Sequence, residues 1–274
     1  MSDCGLMSLG SAHLTVEAER VTADARRCVR DEVAEEVPVA FVYNGHPLAV
    51  MLASPLDLED FTFGFSLSEG VVASADEIGG VEVVPEAQGY SVYVSVPKSR
   101  SEALSARQKN LAGATGCGLC GEQMLENALR PVPSVEAAVR FRADAVQRAV
   151  VAIGHAPELN RITGAVHAAA WADAEGNLRC LREDVGRHNA LDKVIGALAR
   201  GGRTDASSGF VVVTSRASYE MVHKAATARI PLLAAISAPT AFAIRQAQAA
   251  GVTLVGFARE GRQTAYTHAA RLQS

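Results

Sequence analysis

The chain has 274 residues, 49% of them hydrophobic and 5% aromatic, with a formal net charge of −4. That apolar content supports a real core and excludes a disordered chain. The mildly acidic balance excludes the strong basic field of a general nucleic-acid binder. The first residues lack a basic segment followed by an apolar one, and no stretch reaches about 18 uncharged apolar residues. Neither a secretion signal nor a membrane span is therefore expected, and the cytoplasm is the expected compartment. Thiols stay reduced there. The five cysteines, Cys4, Cys28, Cys117, Cys120 and Cys180, are odd in number, which argues against a disulfide framework.

Residues 1 to about 30 are polar and weakly patterned, and read as a tail or edge strand. The apolar runs Val37–Tyr43 and Leu48–Ala53 flank Asn44-Gly45, a strong short hairpin signal. Ser54-Pro-Leu-Asp57 reads as a helix start, with a rhythm through Phe61, Phe65 and Leu67 and a stop at Gly70. Strands are expected at Val81–Val84 and Tyr90–Val96. Residues 98 to 132 break this rhythm and read as an exposed, mobile glycine-rich segment holding Cys117 and Cys120. From Ala143 onward helices and strands alternate: a helix to Ile153, strands at Gly164–Trp171 and Leu178–Leu181 around Glu175-Gly-Asn177, and a helix at Asn189–Leu198. There follow a buried strand at Gly209–Thr214, a helix at Tyr219–Arg229, a strand at Leu232–Ile236, a helix at Thr240–Ala250 and a last strand at Val252–Phe257. That alternation implies a layered sheet with crossovers. The division expected is a tail or edge segment at 1–32, an N-terminal α+β domain at 33–134 carrying the cysteine loop, and a second domain at 135–274.

Cys117-Gly-Leu-Cys120 admits several chemistries. A redox pair needs a first cysteine acidified at a helix start, and glycines at 113, 116, 118 and 121 disfavour a pre-organised one. A structural zinc site needs two further ligands, and His155, His167, His188 and His223 are scattered. Sulfur transfer through a persulfide suits a pliant tether, because glycine lacks the Cβ constraint. The two cysteines are otherwise incidental to the loop, and spacing alone leaves these readings open.

Three further segments follow expected strand ends, where ligands gather in open α/β sheets. Glu183-Asp-Val-Gly-Arg-His-Asn-Ala-Leu-Asp-Lys193 places Arg187, His188 and Lys193 around a glycine. It suits a phosphate or polar ring, and equally a plain cap by Asp184 or Asn189 with Asp192 and Lys193 in solvent. Thr214-Ser215-Arg216-Ala-Ser218 suits an anion or an N-cap. Phe257-Ala-Arg-Glu-Gly-Arg262 suits phosphates or a guanine face, or is a solvated turn.

Taken together, Gly116–Gly121, Glu183–Lys193, Thr214-Ser-Arg216 and Gly256-Phe-Ala-Arg259 resemble the formate dehydrogenase accessory sulfurtransferase (FdhD) family, from about Val33 to His268. The resemblance implies a cytosolic sulfur carrier that takes sulfur from a cysteine desulfurase. It would pass the sulfur to the molybdenum (or tungsten) bis-molybdopterin guanine dinucleotide cofactor, a bound substrate, for the formate dehydrogenase catalytic subunit. By similarity Cys117 carries the persulfide and Cys120 supports it. Phe257, Ala258, Arg259, Glu260, Gly261 and Arg262 match the cofactor-binding stretch, with Arg187, His188, Ser215 and Arg216 in guanosine-end pockets. The fold class implied is α/β (α+β overall), with a three-layer cytidine-deaminase-like C-terminal domain and a small α+β N-terminal domain, in a homodimer. No permanently bound metal is expected. A zinc deaminase needs His-x-Glu and Pro-Cys-x-x-Cys at two helix starts. No His-x-Glu occurs in the chain, and Ser215-Arg-Ala-Ser218 stands where the second motif belongs.

Overall fold

The computed structural model describes residues 12–108, 132–202, 205–259 and 261–274. It opens with an antiparallel ribbon, β1 (His13–Val21) and β2 (Arg26–Ala34), paired from His13↔Ala34 to Val21↔Arg26. The polar stretch expected to be a tail or edge is thus a two-stranded sheet of its own. Its hydrogen bonds close internally, so an apolar rhythm was not required.

Next come β3 (Val37–Tyr43) and β4 (His46–Ala53), joined at Asn44-Gly45. Both turn residues have positive φ, 46° and 83°, as a hairpin matching strand twist requires. The Asn44 side chain also clamps the backbone of Val96, donating to its carbonyl at 2.8 Å and accepting from its N–H at 3.0 Å. With β5 (Gly80–Glu86) and β6 (Gly89–Ser95) these strands form a sheet in the order β4-β3-β6-β5. Val37, Val39, Phe41 and Tyr43 are buried alternately along β3, the period-2 signature of one core face. They meet α1 (Leu58–Ser68), where Phe41 stacks on Phe65 at 4.6 Å and meets Phe61 edge-on at 5.1 Å. Helix α2 (Lys98–Gln108) corrects the expectation of a loop from residue 98. An Arg100–Glu77 fork at 2.6 and 2.9 Å ties it down, a long-range pairing that local composition does not report.

After β7 (Phe141–Arg142) come α3 (Ala143–His155) and a short α4 (Glu158–Thr163) absent from the sequence reading. The strands β8 (His167–Ala172) and β9 (Leu178–Asp184) follow. Then α5 (Arg187–Gly201), β10 (Phe210–Val213), α6 (Tyr219–Thr227), β11 (Leu232–Ala235), α7 (Ala241–Ala250) and β12 (Thr253–Arg259) alternate as expected. Beyond the last expected strand lie β13 (Arg262–Ala265), antiparallel to β12, and β14 (Leu272–Gln273), parallel to β7.

The large sheet runs β13-β12-β11-β10-β8-β9. One face packs on α3 through Val146, Ala149, Val150 and Ile153, and the other on α5, α6 and α7 through Leu191, Val194, Met221, Val222 and Ala247. The C-terminal unit is therefore three layers, helix on sheet on helices, in a mixed α/β protein. Strands β10, β11 and β12 are parallel. Strand β8 is antiparallel to both β10 and β9, so β9 points the same way as those three. Four strands thus deliver their C-terminal ends to one edge.

The two cores meet where α1 crosses α5 backbone to backbone. A Cβ on Gly64 would lie 1.7 Å from the Asp192 carbonyl oxygen, and one on Gly196 1.8 Å from that of Asp60. Only glycine permits this approach. Around it Asp60, nearly buried, takes Arg182 at 2.6 and 2.9 Å and Arg200 at 2.5 Å. Arg200 also pairs with Glu59. Among the described residues no helix is long and apolar enough to cross a membrane.

Candidate functional site

The block Glu183–Lys193 divides between architecture and site. Glu183, the last residue but one of β9, turns both carboxylate oxygens to the first turn of α4, accepting from the N–H groups of Leu159 at 2.9 Å and Asn160 at 2.7 Å. Asp184, fully buried, accepts from the N–H groups of Ser54 at 3.0 Å and Gly186 at 2.8 Å, and from Asn189 Nδ2 at 2.9 Å. Its fourth partner is the equally buried Lys193 Nζ, at 2.7 Å. Lys193 also donates to the Ser54 carbonyl at 3.1 Å. Ser54, read as part of a helix start, is therefore the N-terminal unit's plug into this hub. Asp192 and Lys193 are in neither the ligand-facing nor the solvated position that the sequence suggested, because pairing lets each charge be buried.

Arg187 and His188 behave differently. They open α5, whose first turn carries no acidic residue, so a guanidinium and an imidazole sit at a helix end that already favours anions. Arg187 is half-buried, and its Nε is shielded from solvent without a hydrogen-bond partner. His167, at the start of β8, faces the same edge. Burial, then the charges of Arg187 and His188, hold its imidazole below the usual histidine range. Across from them α6 contributes Ser218 and Glu220. The Ser218 hydroxyl donates to Glu220 Oε2 at 2.7 Å, and His188 Nε2 lies 3.7 Å from that oxygen and 3.5 Å from the hydroxyl. Hydrogen bonding to His188 first, and then to Ser218, brings the Glu220 carboxyl down to about 2. This is not a hydrolase triad: Ser218 and Glu220 share one ring nitrogen, where a nucleophile and an orienting acid need opposite ones.

The neighbouring loops are laced side by side. Ala217 N–H donates to the Ala238 carbonyl at 3.3 Å and Thr240 N–H to the Ala217 carbonyl at 3.0 Å, and the Phe257 N–H reaches the Ser237 carbonyl at 3.1 Å. Ser215 is buried, with its hydroxyl on the Arg216 carbonyl at 3.0 Å, and Arg216 is exposed. Phe257 holds φ 49° and keeps 40% of its surface exposed, a left-handed conformation that costs a residue with a Cβ. Ala258 points into the core against α3. Register slips between Gly256 and Arg259 and resumes at Arg259↔Arg262, a bulge that turns both exposed arginines out. Gly261, at φ 78°, donates to Gln147 Oε1 at 3.1 Å and borders an open groove of about 810 Å³ lined by α3 residues Gln147, Arg148 and Val151.

The structure thus brings Arg187 and His188 together with Ser218, and places Ser215, Arg216 and Phe257 at strand ends of the same edge; Arg259, Gly261 and Arg262 lie on the β12–β13 turn against α3, where Gly261 shares a groove with Gly176 and Asn177 of the β8–β9 turn, at the opposite end of β8 from His167. From β9 to β12 are four strand spacings, about 19 Å, so the edge has two separate ends. His167, Glu220 and Ser237 were missed. The signal for Glu220 is its place in the first turn of a helix, four residues before a second charge at Lys224. Cys117, Cys120, Glu260 and Cys4 lie outside the described residues. Among the described residues no group of three or more His, Cys, Asp or Glu is placed to hold a metal ion.

Fold and site define a mixed α/β protein whose large sheet presents Arg187 and Arg216 at one edge. The FdhD/NarQ family profile matches residues 34–273, and the chain belongs to that family. It is 54% identical over 263 residues, 96% of this chain and 92% of the relative, to a protein of Xanthomonas euvesicatoria named sulfur carrier protein FdhD. A protein of the same name from Cupriavidus necator is 52% identical over 243 residues, 89% of this chain and 84% of that one. A crystal structure from Desulfotalea psychrophila, described as a formate dehydrogenase accessory protein, is similar with a TM-score of 0.76 and 25% identity. The match covers 96% of this chain and all of that one.

Proposed function

We propose that this chain is a sulfur carrier, a sulfurtransferase in the cytoplasm that loads sulfur onto a guanine-nucleotide molybdenum or tungsten cofactor for formate dehydrogenase. The observation that carries the proposal is the cationic edge, on a chain whose relatives bear the name sulfur carrier. Arg187, with its buried unpartnered Nε, stands beside His167 and His188 at a helix N-terminus. The exposed Arg259 and Arg262 stand apart from it on the β12–β13 turn. Two separate arginine groups suit an elongated ligand carrying more than one phosphate group. The bis-molybdopterin guanine dinucleotide is such a ligand and is the substrate rather than a resident group. The exposed ring of Phe257 gives a purine a flat partner, and its strained backbone is the kind of cost retained at binding sites. The C-terminal layers are read as a cytidine-deaminase-like scaffold without its metal centre, and the working unit as a homodimer.

In the chemistry proposed, the Cys117 thiolate attacks the outer sulfur of a persulfide on a cysteine desulfurase. One S–S bond forms as another breaks, and the donor leaves as a thiolate. Thiolate character sets the rate. Attack by Cys120 on the Cys117 persulfide then expels hydrosulfide to the soft metal and leaves a Cys117–Cys120 disulfide, which a cellular dithiol reduces. Mass spectrometry after incubation with a desulfurase and cysteine should find one added sulfur on the peptide holding Cys117, lost in Cys117→Ser. A wild-type chain that gains none refutes the reading.

A further inference from the structure

Helices α5 and α6 start at the same sheet edge and face each other with two polar rungs. The first joins His188 to Glu220 at 3.7 Å. The second, one turn further along both helices, joins Asp192 to Lys224 at 2.8 and 3.0 Å. Each helix carries its pair at i and i+4, the spacing that puts two side chains on one face. The inner rung is an ion pair, and the outer rung sets the His188 imidazole against the Glu220 carboxylate.

The rungs differ in surroundings. His188 and Glu220 keep 19% and 23% of their side-chain surface exposed at the edge, whereas Asp192 and Lys224 are 1% and 6% exposed. The inner rung therefore has no access to a ligand at the sheet edge. It is instead completed from the other unit: Ser68, the last residue of α1, donates to Asp192 Oδ1 at 2.7 Å and lies 2.9 Å from Lys224 Nζ, and Glu69 accepts from Lys224 at 3.3 Å. Burial works against the Lys224 ammonium, but the carboxylates of Asp192 and Glu69 outweigh it and keep it charged. The backbone of the same Asp192 packs directly against Gly64, so side chain and main chain both meet α1 at this point of α5.

We infer that Asp192 and Lys224 are positioning residues. They set the spacing of α5 against α6, and with it the placing of His188 against Ser218 and Glu220, and through Ser68 they tie that placing to the seating of the N-terminal unit. The inference rests on reading the edge as a nucleotide seat. A slack inner rung frees the outer one, because the two helices have no other charged tie on that face among the described residues.

The test uses the full chain with guanosine diphosphate as the probe, read by calorimetry, and follows the His188 ring resonance by NMR. Lys224→Met should stay folded by circular dichroism, shift the His188 resonance, and lose about tenfold in affinity, within the range found for coupled neighbours. Lys224→Arg should restore both. Ser68→Ala keeps the ion pair and the Glu69 contact and removes only the hydroxyl's share of the tie to α1, so it should give a smaller loss in the same direction, and it serves if Lys224→Met does not fold. An unmoved His188 resonance in folded Lys224→Met, or in Ser68→Ala, overturns the inference. A wild-type chain that ignores the nucleotide refutes the seat instead, and the His188 resonance still decides whether the inner rung positions it.

Discussion

Replacing Lys193 by Met tests the hub most directly. The substitution keeps the length of the side chain and removes the ammonium 2.7 Å from Asp184, which has no exposed surface. Asp184 keeps three neutral donors, the N–H groups of Ser54 and Gly186 and Asn189 Nδ2, but its charge is left unpaired in the interior. Breaking a buried pair in this way costs about 3–5 kcal/mol, against a total stability of about 5–15 kcal/mol for a folded protein. The Ser54 carbonyl loses its donor as well. In Asp184→Asn/Lys193→Met the buried charge is gone with its partner, so much of the loss should return. The assay is a double-mutant cycle by urea unfolding, with an expected coupling of about 2 kcal/mol or more. A cost below about 1 kcal/mol for Lys193→Met, or additive single costs, would refute the claim that this pair clamps the units.

Three other outcomes follow from geometry. Gly64→Ala drives a methyl to 1.7 Å from the Asp192 carbonyl oxygen; separating two backbones should cost upward of about 3 kcal/mol, measured by chemical denaturation. Glu220 is lowered from an ordinary 4.5 to about 2, so its contribution is present above pH 4.5 and is lost as pH falls toward 2. The wild type should exceed Glu220→Gln by roughly 1–2 kcal/mol at neutral pH after screening of a half-exposed group; a gap that fails to close in acid contradicts the assignment. Phe257→Gly removes the left-handed strain at φ 49° and should leave stability unchanged or raised by about 1 kcal/mol. It should also weaken guanosine diphosphate binding, and calorimetry showing unaltered affinity would remove the ring from the seat.

What the sequence discloses is local. Asn44-Gly45 announces its hairpin because two positive φ values admit few residue types, and the helices from Arg187 and Ala241 announce themselves by apolar period. The direction of β9 is not local. That it runs with β10, β11 and β12 follows from pairing on both sides of β8, yet it is what brings Arg187 to the edge that holds Ser218. Helix α2 is held by Glu77, and Lys193 by Asp184 and Ser54, which lies 139 positions away. A charged residue looks solvated in a string of letters when its partner is that remote. Of the site, the basic residues were legible as types near strand ends, while His167 acquires meaning only through neighbours on other elements and Glu220 shows locally no more than its place in a helix's first turn.

The crossing at Gly64 and Gly196 leaves no cushion between the two cores. A joint padded by side chains gives when rotamers change, whereas one made of main chain has nothing to rearrange. The units must then travel as a single block, and sliding by one helical step would drive carbonyl oxygens into Cα atoms. Shape changes during the working cycle have to be drawn from segments outside this crossing, and drift at either glycine is closed off because no neighbouring replacement can make room.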